Sequence, residues 1–319
     1  MKDNYGRKIN YMRISITDLC NLRCVYCMPE EGIEKHPHQK NLTFEEILDL
    51  IKAGVSLGVN KIRLTGGEPL VRHGIVDLVR QIGEIPGIND LTMTTNGILL
   101  PKYAKDLKEA GLNRVNISLD TFDPVKFHQI TRCGNLEDVL AGLAAARDAG
   151  MDPIKINTVL IKGFNDDEIE TFVNYTKDEA VDVRFIELMP LGESSDFAEN
   201  KYLSNGEVLK RMPTLNPLLE PDKTGPAEYY QLPGAKGRVG LINPISKHFC
   251  SECNRIRVTT DGKIKPCLHS DYEIDLVELH QAGKTYKEIL LQAINEKPEK
   301  HHISEHETQS LRNMNQIGG

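Results

Sequence analysis

Tyr11-Met12-Arg13-Ile14-Ser15-Ile16-Thr17, followed at once by Asp18-Leu19-Cys20-Asn21-Leu22-Arg23-Cys24-Val25-Tyr26-Cys27-Met28-Pro29, is the stretch from which the fold can be read. Its first part alternates apolar and polar residues with a period of two, the pattern of a strand with one face in a core. Its second part is a loop holding three thiols as C-x3-C-x2-C. Three thiolates so close, with no fourth nearby, can wrap one face of an iron–sulfur cube and leave one iron open. Electron-transfer clusters take four cysteines, and closed zinc sites take four Cys or His ligands. On spacing alone, a zinc site with a distant fourth ligand or plain thiols stay open as alternatives.

The alternation recurs along the chain. Strand-like runs begin near Asn60, Asn89, Asn113, Pro153 and Val181, and helical stretches separate them. Thr43 and Glu46 make a capping box for a helix ending near Gly58, and later helices stop at Gly83, Gly111 and Gly150, where glycine suits a left-handed cap. Six βα units in a row predict a parallel sheet. Parallel strands covered on both faces read as continuous apolar runs, yet each strand here keeps one polar side. The apolar side meets the helices, so the polar side faces a cavity. A closed eight-stranded barrel fills its interior with Val, Ile and Leu; a polar lumen predicts a wider, splayed barrel with a ligand inside. Arg13, Lys61, Arg63, Lys155 and Arg184 fall on that inner side.

After Met189-Pro190-Leu191-Gly192 the pattern breaks, and a Pro/Gly-rich stretch from Pro213 to Gly237 points to a smaller C-terminal region. The expected division is 1–200 for the barrel and 201–319 for the remainder. Cys250, Cys253 and Cys267 form C-x2-C-x13-C around a hairpin whose two-residue turn is Asp261-Gly262. Strict pairing about that turn sets Cys267 opposite Ile256, although Pro266 cannot join the ladder. With His269 close behind, this second group reads equally as zinc or iron–sulfur. Arg255 and Arg257 share one strand face and present planar donors suited to phosphates. An acidic chain, of net charge −7, thus carries an inward basic set, which predicts a polyanionic ligand. The overall charge argues against nucleic acid, no apolar run suggests a leader or membrane span, and the seven clustered cysteines fit a reducing cytoplasm. Cys133 reads as an ordinary thiol, and His36, His38, His301, His302 and His306 as solvated surface residues.

These residues resemble the radical S-adenosylmethionine (SAM) enzymes and, among them, the GTP 3′,8-cyclase family. The resemblance covers nearly the whole length. It rests on the Cys20 loop, Thr65-Gly66-Gly67-Glu68-Pro69, Thr94-Thr95-Asn96-Gly97, Asn116 to Asp120, Arg184 to Met189, Cys250 to Arg257 and the terminal Gly318-Gly319. It implies an α/β fold, an incomplete (β/α)6 TIM-like barrel whose open side is covered by a smaller C-terminal α+β region. It further implies two 4Fe–4S clusters, on Cys20, Cys24 and Cys27 and on Cys250, Cys253 and Cys267, the second taking the guanine base. Tyr26, Gly67, Ser118 and Met189 match SAM-contacting positions, Gly67 because a residue without a side chain lets backbone approach the ligand. Arg13, Arg63, Thr94, Lys155, Arg255 and Arg257, with Lys61 and Arg184, match GTP-contacting positions. Arg255, Arg257, Gly318 and Gly319 match catalytic ones, with the Gly-Gly tail reaching into the active site.

The implied activity is conversion of GTP to 3′,8-cyclo-7,8-dihydro-GTP in the first step of molybdenum cofactor biosynthesis, with hydrogen removed from the ribose 3′ carbon by a 5′-deoxyadenosyl radical. The implied partners are a low-potential electron donor and cyclic pyranopterin monophosphate synthase, with the chain a monomer or homodimer. The competing expectations are another radical SAM enzyme with an auxiliary cluster, acting on a peptide or other small molecule, and a zinc-stabilised binding protein.

Overall fold

The structure is a computed structural model that describes residues 1–33, 41–192, 195–219, 225–301 and 310–318. The six alternating runs form β1 (Tyr11–Ser15), β2 (Lys61–Thr65), β3 (Asp90–Thr95), β4 (Arg114–Ser118), β5 (Ile154–Leu160) and β6 (Val181–Glu187). Each lies parallel to the next. The crossovers are α1 (Phe44–Ser56), α2 (Ile75–Gly83), α3 (Leu100–Glu109), the pair α4 (Pro124–Thr131) and α5 (Leu136–Asp148), and α6 (Ile169–Asp178). The apolar strand residues, among them Ile14, Leu64, Met93, Ile117, Ile156 and Phe185, are fully buried and share one core with Ile47, Ile51, Leu78 and Leu107 of the helices. Burying a side chain of this size contributes about 1.5–3 kcal/mol. The alternating polar residues are left on the inner face.

The remaining elements are α7 (Ser195–Lys201), α8 (Gly206–Arg211), β7 (Asn216–Pro217), β8 (Ala227–Gln231), β9 (Arg238–Ile242), β10 (Arg255–Val258), β11 (Lys263–Lys265), β12 (Ile274–Asp275), α9 (Leu276–Gln281), α10 (Tyr286–Asn295) and α11 (Met314–Ile317). The C-terminal strands do more than cover an open side, because they extend both edges of the sheet. β10 pairs in parallel with β1, and β9 in parallel with β6. The strand order is β12-β11-β10-β1-β2-β3-β4-β5-β6-β9-β8-β7, an unclosed sheet. The physical reason lies in the barrel's own edges, whose unpaired N–H and C=O groups need partners.

Local signals hold with two exceptions. Thr43 and Glu46 form the expected reciprocal box at α1, and Gly58, Gly111 and Gly150 have φ of +93°, +100° and +69°. Gly83, however, sits inside the last turn of α2 without a left-handed φ. A Cβ there would lie 3.0 Å from the Ala110 carbonyl, so close approach to the end of α3 explains the glycine. The second exception is the hairpin. Thr259 pairs with Lys263 around Thr260-Asp261-Gly262, with Gly262 at φ +76°. A three-residue loop with left-handed glycine replaces the two-residue turn. The register becomes Arg257 to Lys265 and Val258 to Ile264, which moves Cys267 from the level of Ile256 to that of Arg255. Pro266 ends the ladder at Lys265, as its missing N–H requires.

Among the described residues no helix is long and apolar enough to cross a membrane.

Candidate active site

The Cys20 loop follows the C-terminal end of β1, and the ends of the neighbouring strands surround it. The seven cysteines are all free thiols. Burial pushes the Cys20 thiol up to about 11, the Cys27 thiol up to about 12 and Cys24 well above its ordinary value. Such thiols stay protonated at neutral pH until a metal displaces the proton. Donors already point at the sulfurs. The Leu22 N–H lies 3.3 Å from Cys20 Sγ and Asn96 Nδ2 lies 3.8 Å from it, while the Asn315 N–H faces Cys27 and works against its burial. Soft donors converging on one loop, with N–H groups aimed at them, fit an iron–sulfur cluster.

Tyr26 donates to Asp120 Oδ2 at 2.6 Å, and burial raises the Asp120 carboxyl to about 6 against this bond and the Val159 N–H. Gly67 has a packing role within the protein. A Cβ there would meet Leu19 O at 2.3 Å and Asp18 O at 2.7 Å, so the glycine lets the β2 loop press against the cysteine loop. Glu68, quoted within its motif but given no role in sequence, is fully buried. It accepts from Thr95 Oγ1 and from the N–H groups of Leu70 and Asn96, and burial raises it to about 7 against those bonds.

Below this loop lies a cavity of about 330 Å³. Among the described residues, ten arginines and lysines and one carboxylate, Asp90, line it. The strand register sets this up, since Arg13 pairs with Arg257 on one side and Arg63 on the other. Burial, then Arg257, holds the Arg13 guanidinium well below its usual range. Burial also lowers Arg63 to about 10, with Arg184 adding to it, and Arg257 to about 10, with Arg255 adding to it. Cations crowded in low dielectric favour a polyanion. Part of the set is already neutralised. Lys155 Nζ lies 3.3 Å from Asp182 and 3.1 Å from the Tyr229 hydroxyl, and Arg114 is paired with Asp90. Thr94 Oγ1 and both amide atoms of the fully buried Asn116 have no hydrogen-bond partner, and the two residues are register neighbours. Buried orphans of this kind await a ligand.

The second cysteine group closes the opposite end. Cys250 and Cys253 precede β10, which runs with β1, and Cys267 follows the antiparallel β11, so all three reach the N-terminal rim and line the cavity. Burial raises Cys250, whereas at Cys253 burial is overcome by Arg255 and Lys297, which lower it to about 6. Lys297 is itself buried, donating to Arg255 O and Pro266 O. Histidine enters differently from the expectation of solvated side chains. His301 is half-buried in the lining beside the buried His269. The ligand atoms of His248, Cys250 and His301 lie within 4.8 Å of one another, a metal-competent trio that does not include His269. His36, His38, His302 and His306 lie outside the described residues.

Of the residues singled out in sequence, Arg13, Lys61, Arg63, Lys155, Arg184, Met189, Arg255, Arg257 and the second three cysteines share this cavity. Thr94 and Ser118 stand on β3 and β4, Tyr26 and Gly67 beside the first cysteine loop. Gly318 reaches the same place from the other end of the chain. Its carbonyl accepts from Arg257 at 2.8 Å and from Arg13 at 3.4 Å. Gly319 lies outside the described residues. Sequence reading missed Lys297, Tyr229 and Asp90, whose roles come from tertiary packing; Asn116 and Asp182 were visible as inner-face positions of their strands.

Comparison with known proteins agrees with this geometry. Residues 14–176 match the radical SAM superfamily, and residues 181–303 match Molybdenum Cofactor Synthesis C. Solved structures agree on the fold. SuiB of Streptococcus suis superposes with a TM-score of 0.57 at 15% identity, over 82% of this chain and 60% of that one. Methylornithine synthase gives 0.51 at 17% identity, over 65% and 62%. The chain is a member of the radical SAM superfamily, which carries a 4Fe–4S cluster and binds SAM. A GTP 3′,8-cyclase from Alkaliphilus oremlandii is 57% identical over 100% of both chains, and one from Thermodesulfovibrio yellowstonii 49% identical over 100% of both. Within the superfamily, the chain belongs to the GTP 3′,8-cyclase family.

Proposed function

We propose that this chain converts GTP to 3′,8-cyclo-7,8-dihydro-GTP, the first step of molybdenum cofactor biosynthesis. The observation that carries the reading is the buried cation set between two three-cysteine groups at opposite ends of one cavity. Cys20, Cys24 and Cys27 would hold the cluster that reduces SAM; when bound, it supplies the 5′-deoxyadenosyl radical that takes hydrogen from the ribose 3′ carbon. Cys250, Cys253 and Cys267 would hold a second cluster at the base-binding end. Tyr26, Gly67, Ser118 and Met189 would place SAM.

The chain's own share is placement. Arg13, Lys61, Arg63, Thr94, Lys155, Arg184, Arg255 and Arg257 would fix the triphosphate and ribose between the two ends. A radical attacks almost any bond nearby, so holding one hydrogen in reach sets the outcome. Arg257, donating to Gly318 O, would join the substrate to the tail, and exclusion of water by the covered barrel would limit side reactions. Residues 1–200 would form the SAM unit and 201–319 the substrate-closing unit. A low-potential donor would supply electrons, and the product would pass to cyclic pyranopterin monophosphate synthase in the cytoplasm.

Zinc is the competing reading for the second group, favoured by the His248, Cys250 and His301 trio. Oxygen-free purification and metal analysis separate the two, since two cubes per chain are expected and zinc in place of the second overturns that part. For the activity, the reconstituted chain with dithionite, SAM and GTP is expected to give 5′-deoxyadenosine and a cyclised nucleotide. Absence of the nucleotide from fully loaded protein overturns the substrate.

A further inference from the structure

The segment 310–318 crosses the mouth of the barrel as a strap, and one side chain ties it down. Arg312 forks onto two carboxylates at once. Nε and Nη2 donate to Glu273 at 2.6 and 2.7 Å, while Nη1 and Nη2 donate to Asp261 at 3.0 and 2.9 Å. Asp261 sits in the β10–β11 turn, and Glu273 in the loop after Cys267. Glu273 is itself held by Lys265, which is fully buried and also donates to Ser270 O. At its start the strap is also held by Gly192 N donating to Ser310 O at 3.0 Å and by Leu311 N donating to the Asp271 carboxylate at 2.8 Å. Gly192 lies so close that a Cβ would meet the Arg312 carbonyl at 2.9 Å. The strap thus spans from the end of β6 to the β10–β11 hairpin, the two sides that the unclosed sheet leaves apart.

Beyond Arg312 the strap touches both ends of the site. The backbone N–H of Asn315 faces the Cys27 thiol and works against the burial that raises it, and Asn315 Nδ2 donates to Asp18 O at 3.2 Å. Three residues on, the Gly318 carbonyl rests on Arg257 and Arg13, with Thr65 against its α-carbon. Hydrogen bonds to cluster sulfurs stabilise the more negative, reduced state and so raise its potential. We propose that Arg312 is the positioning residue of this strap: by pinning it to the hairpin that carries Arg255 and Arg257, it sets the potential of the first cluster through Asn315 and the grip on the triphosphate through Gly318. The triphosphate part rests on the GTP reading; the potential part does not.

The test is Arg312→Gln in the full-length chain, loaded anaerobically and checked for iron. Hydrogen exchange of residues 310–318 is expected to quicken at least tenfold, the midpoint potential of the first cluster to move negative in an EPR-monitored titration, and KM for GTP to rise by a larger factor than kcat falls. Arg312→Lys keeps the charge without the fork and is expected to recover only part of each change. A purely structural arginine would lower iron loading or the melting temperature and leave the potential of the loaded fraction unchanged. Fast exchange with an unmoved potential overturns the proposal, as does unchanged exchange. If Arg312→Gln does not load, Asp261→Asn removes one carboxylate charge, and the same two readouts decide. Failure of the GTP reading would remove the KM arm alone.

Discussion

Gly67→Ala is the substitution whose outcome can be worked most directly from the coordinates. The new Cβ would sit 2.3 Å from Leu19 O and 2.7 Å from Asp18 O, where ordinary contact begins at 3.4 Å. Both obstacles are backbone, so the β2 loop and the cysteine loop must separate by about 1 Å. Overpacking of this kind costs about 1–3 kcal/mol. The separation also strains the bonds that zip the loops together, Gly67 N to Thr17 O at 2.7 Å and Glu68 N to Leu19 O at 2.8 Å. Each such bond is worth about 1 kcal/mol net. Because Leu19 directly precedes Cys20, the displacement is delivered to the first sulfur. A shift of about 1 Å in a reacting group can cost about 100-fold in rate.

The assay is iron content and SAM cleavage after anaerobic reconstitution, beside thermal melting of the cluster-free protein. Expected are a lowered melting temperature, incomplete loading at Cys20, Cys24 and Cys27, and at least tenfold slower cleavage. Gly54→Ala is the control, since the one close obstacle its Cβ would meet is the flexible Met12 Cε tip at 2.8 Å, with Val59 in ordinary contact from 3.4 Å, and alanine gains about 1 kcal/mol in a helix. Full loading and wild-type cleavage in Gly67→Ala would refute the reasoning.

Asp120→Asn keeps partners for Tyr26 and Val159 but removes the raised carboxyl. The folded chain holds that proton up to about pH 6 while the unfolded chain releases it near 3.8, so this group's contribution is present below 3.8 and lost as pH rises through 6. The variant should therefore gain stability over wild type between pH 4 and 7 in melting curves of cluster-free protein, and a constant difference would contradict this. Lys297→Met removes a cation from Cys253 and strands two carbonyls. Alkylation of Cys253 at pH 7 should slow several-fold, and an unchanged rate would show that Arg255 alone sets that thiol. Arg63→Ala removes one buried cation that faces the substrate, and losing a charge-assisted bond of about 1.5–3 kcal/mol predicts about 10–100-fold weaker GTP binding by calorimetry. Unchanged affinity would place the triphosphate elsewhere.

Much of this site was legible because period-two alternation is a local property. Once Arg13, Arg63, Lys155 and Arg184 were assigned to the polar side of their strands, parallel register brought them to one cavity. What stayed hidden was set by residues far apart in the chain. Nothing near Arg255 announces that its strand will pair with β1, and nothing near Asp182 that it will neutralise Lys155. The hairpin failed by one residue because Asp-Gly serves a two-residue turn and a three-residue loop equally well, and only the ladder chooses. His301 was misread because a polar neighbourhood in sequence says little about burial when a terminal segment folds back. Gly67 was singled out for its lack of a side chain, and the cysteine-loop backbone lies where its Cβ would be.

The long-range pairing at the barrel's edge also shapes the life of the nascent chain. Asn254 and Asn10 meet side chain to side chain across 244 residues. At about 5–20 residues per second, the ribosome leaves β1 without that neighbour for roughly 12–50 s. Through that interval the half-built sheet shows bare margins and an accessible thiol loop. Protection of that margin from aggregation is therefore needed until the final third of the polypeptide has emerged and β10 can pair with β1.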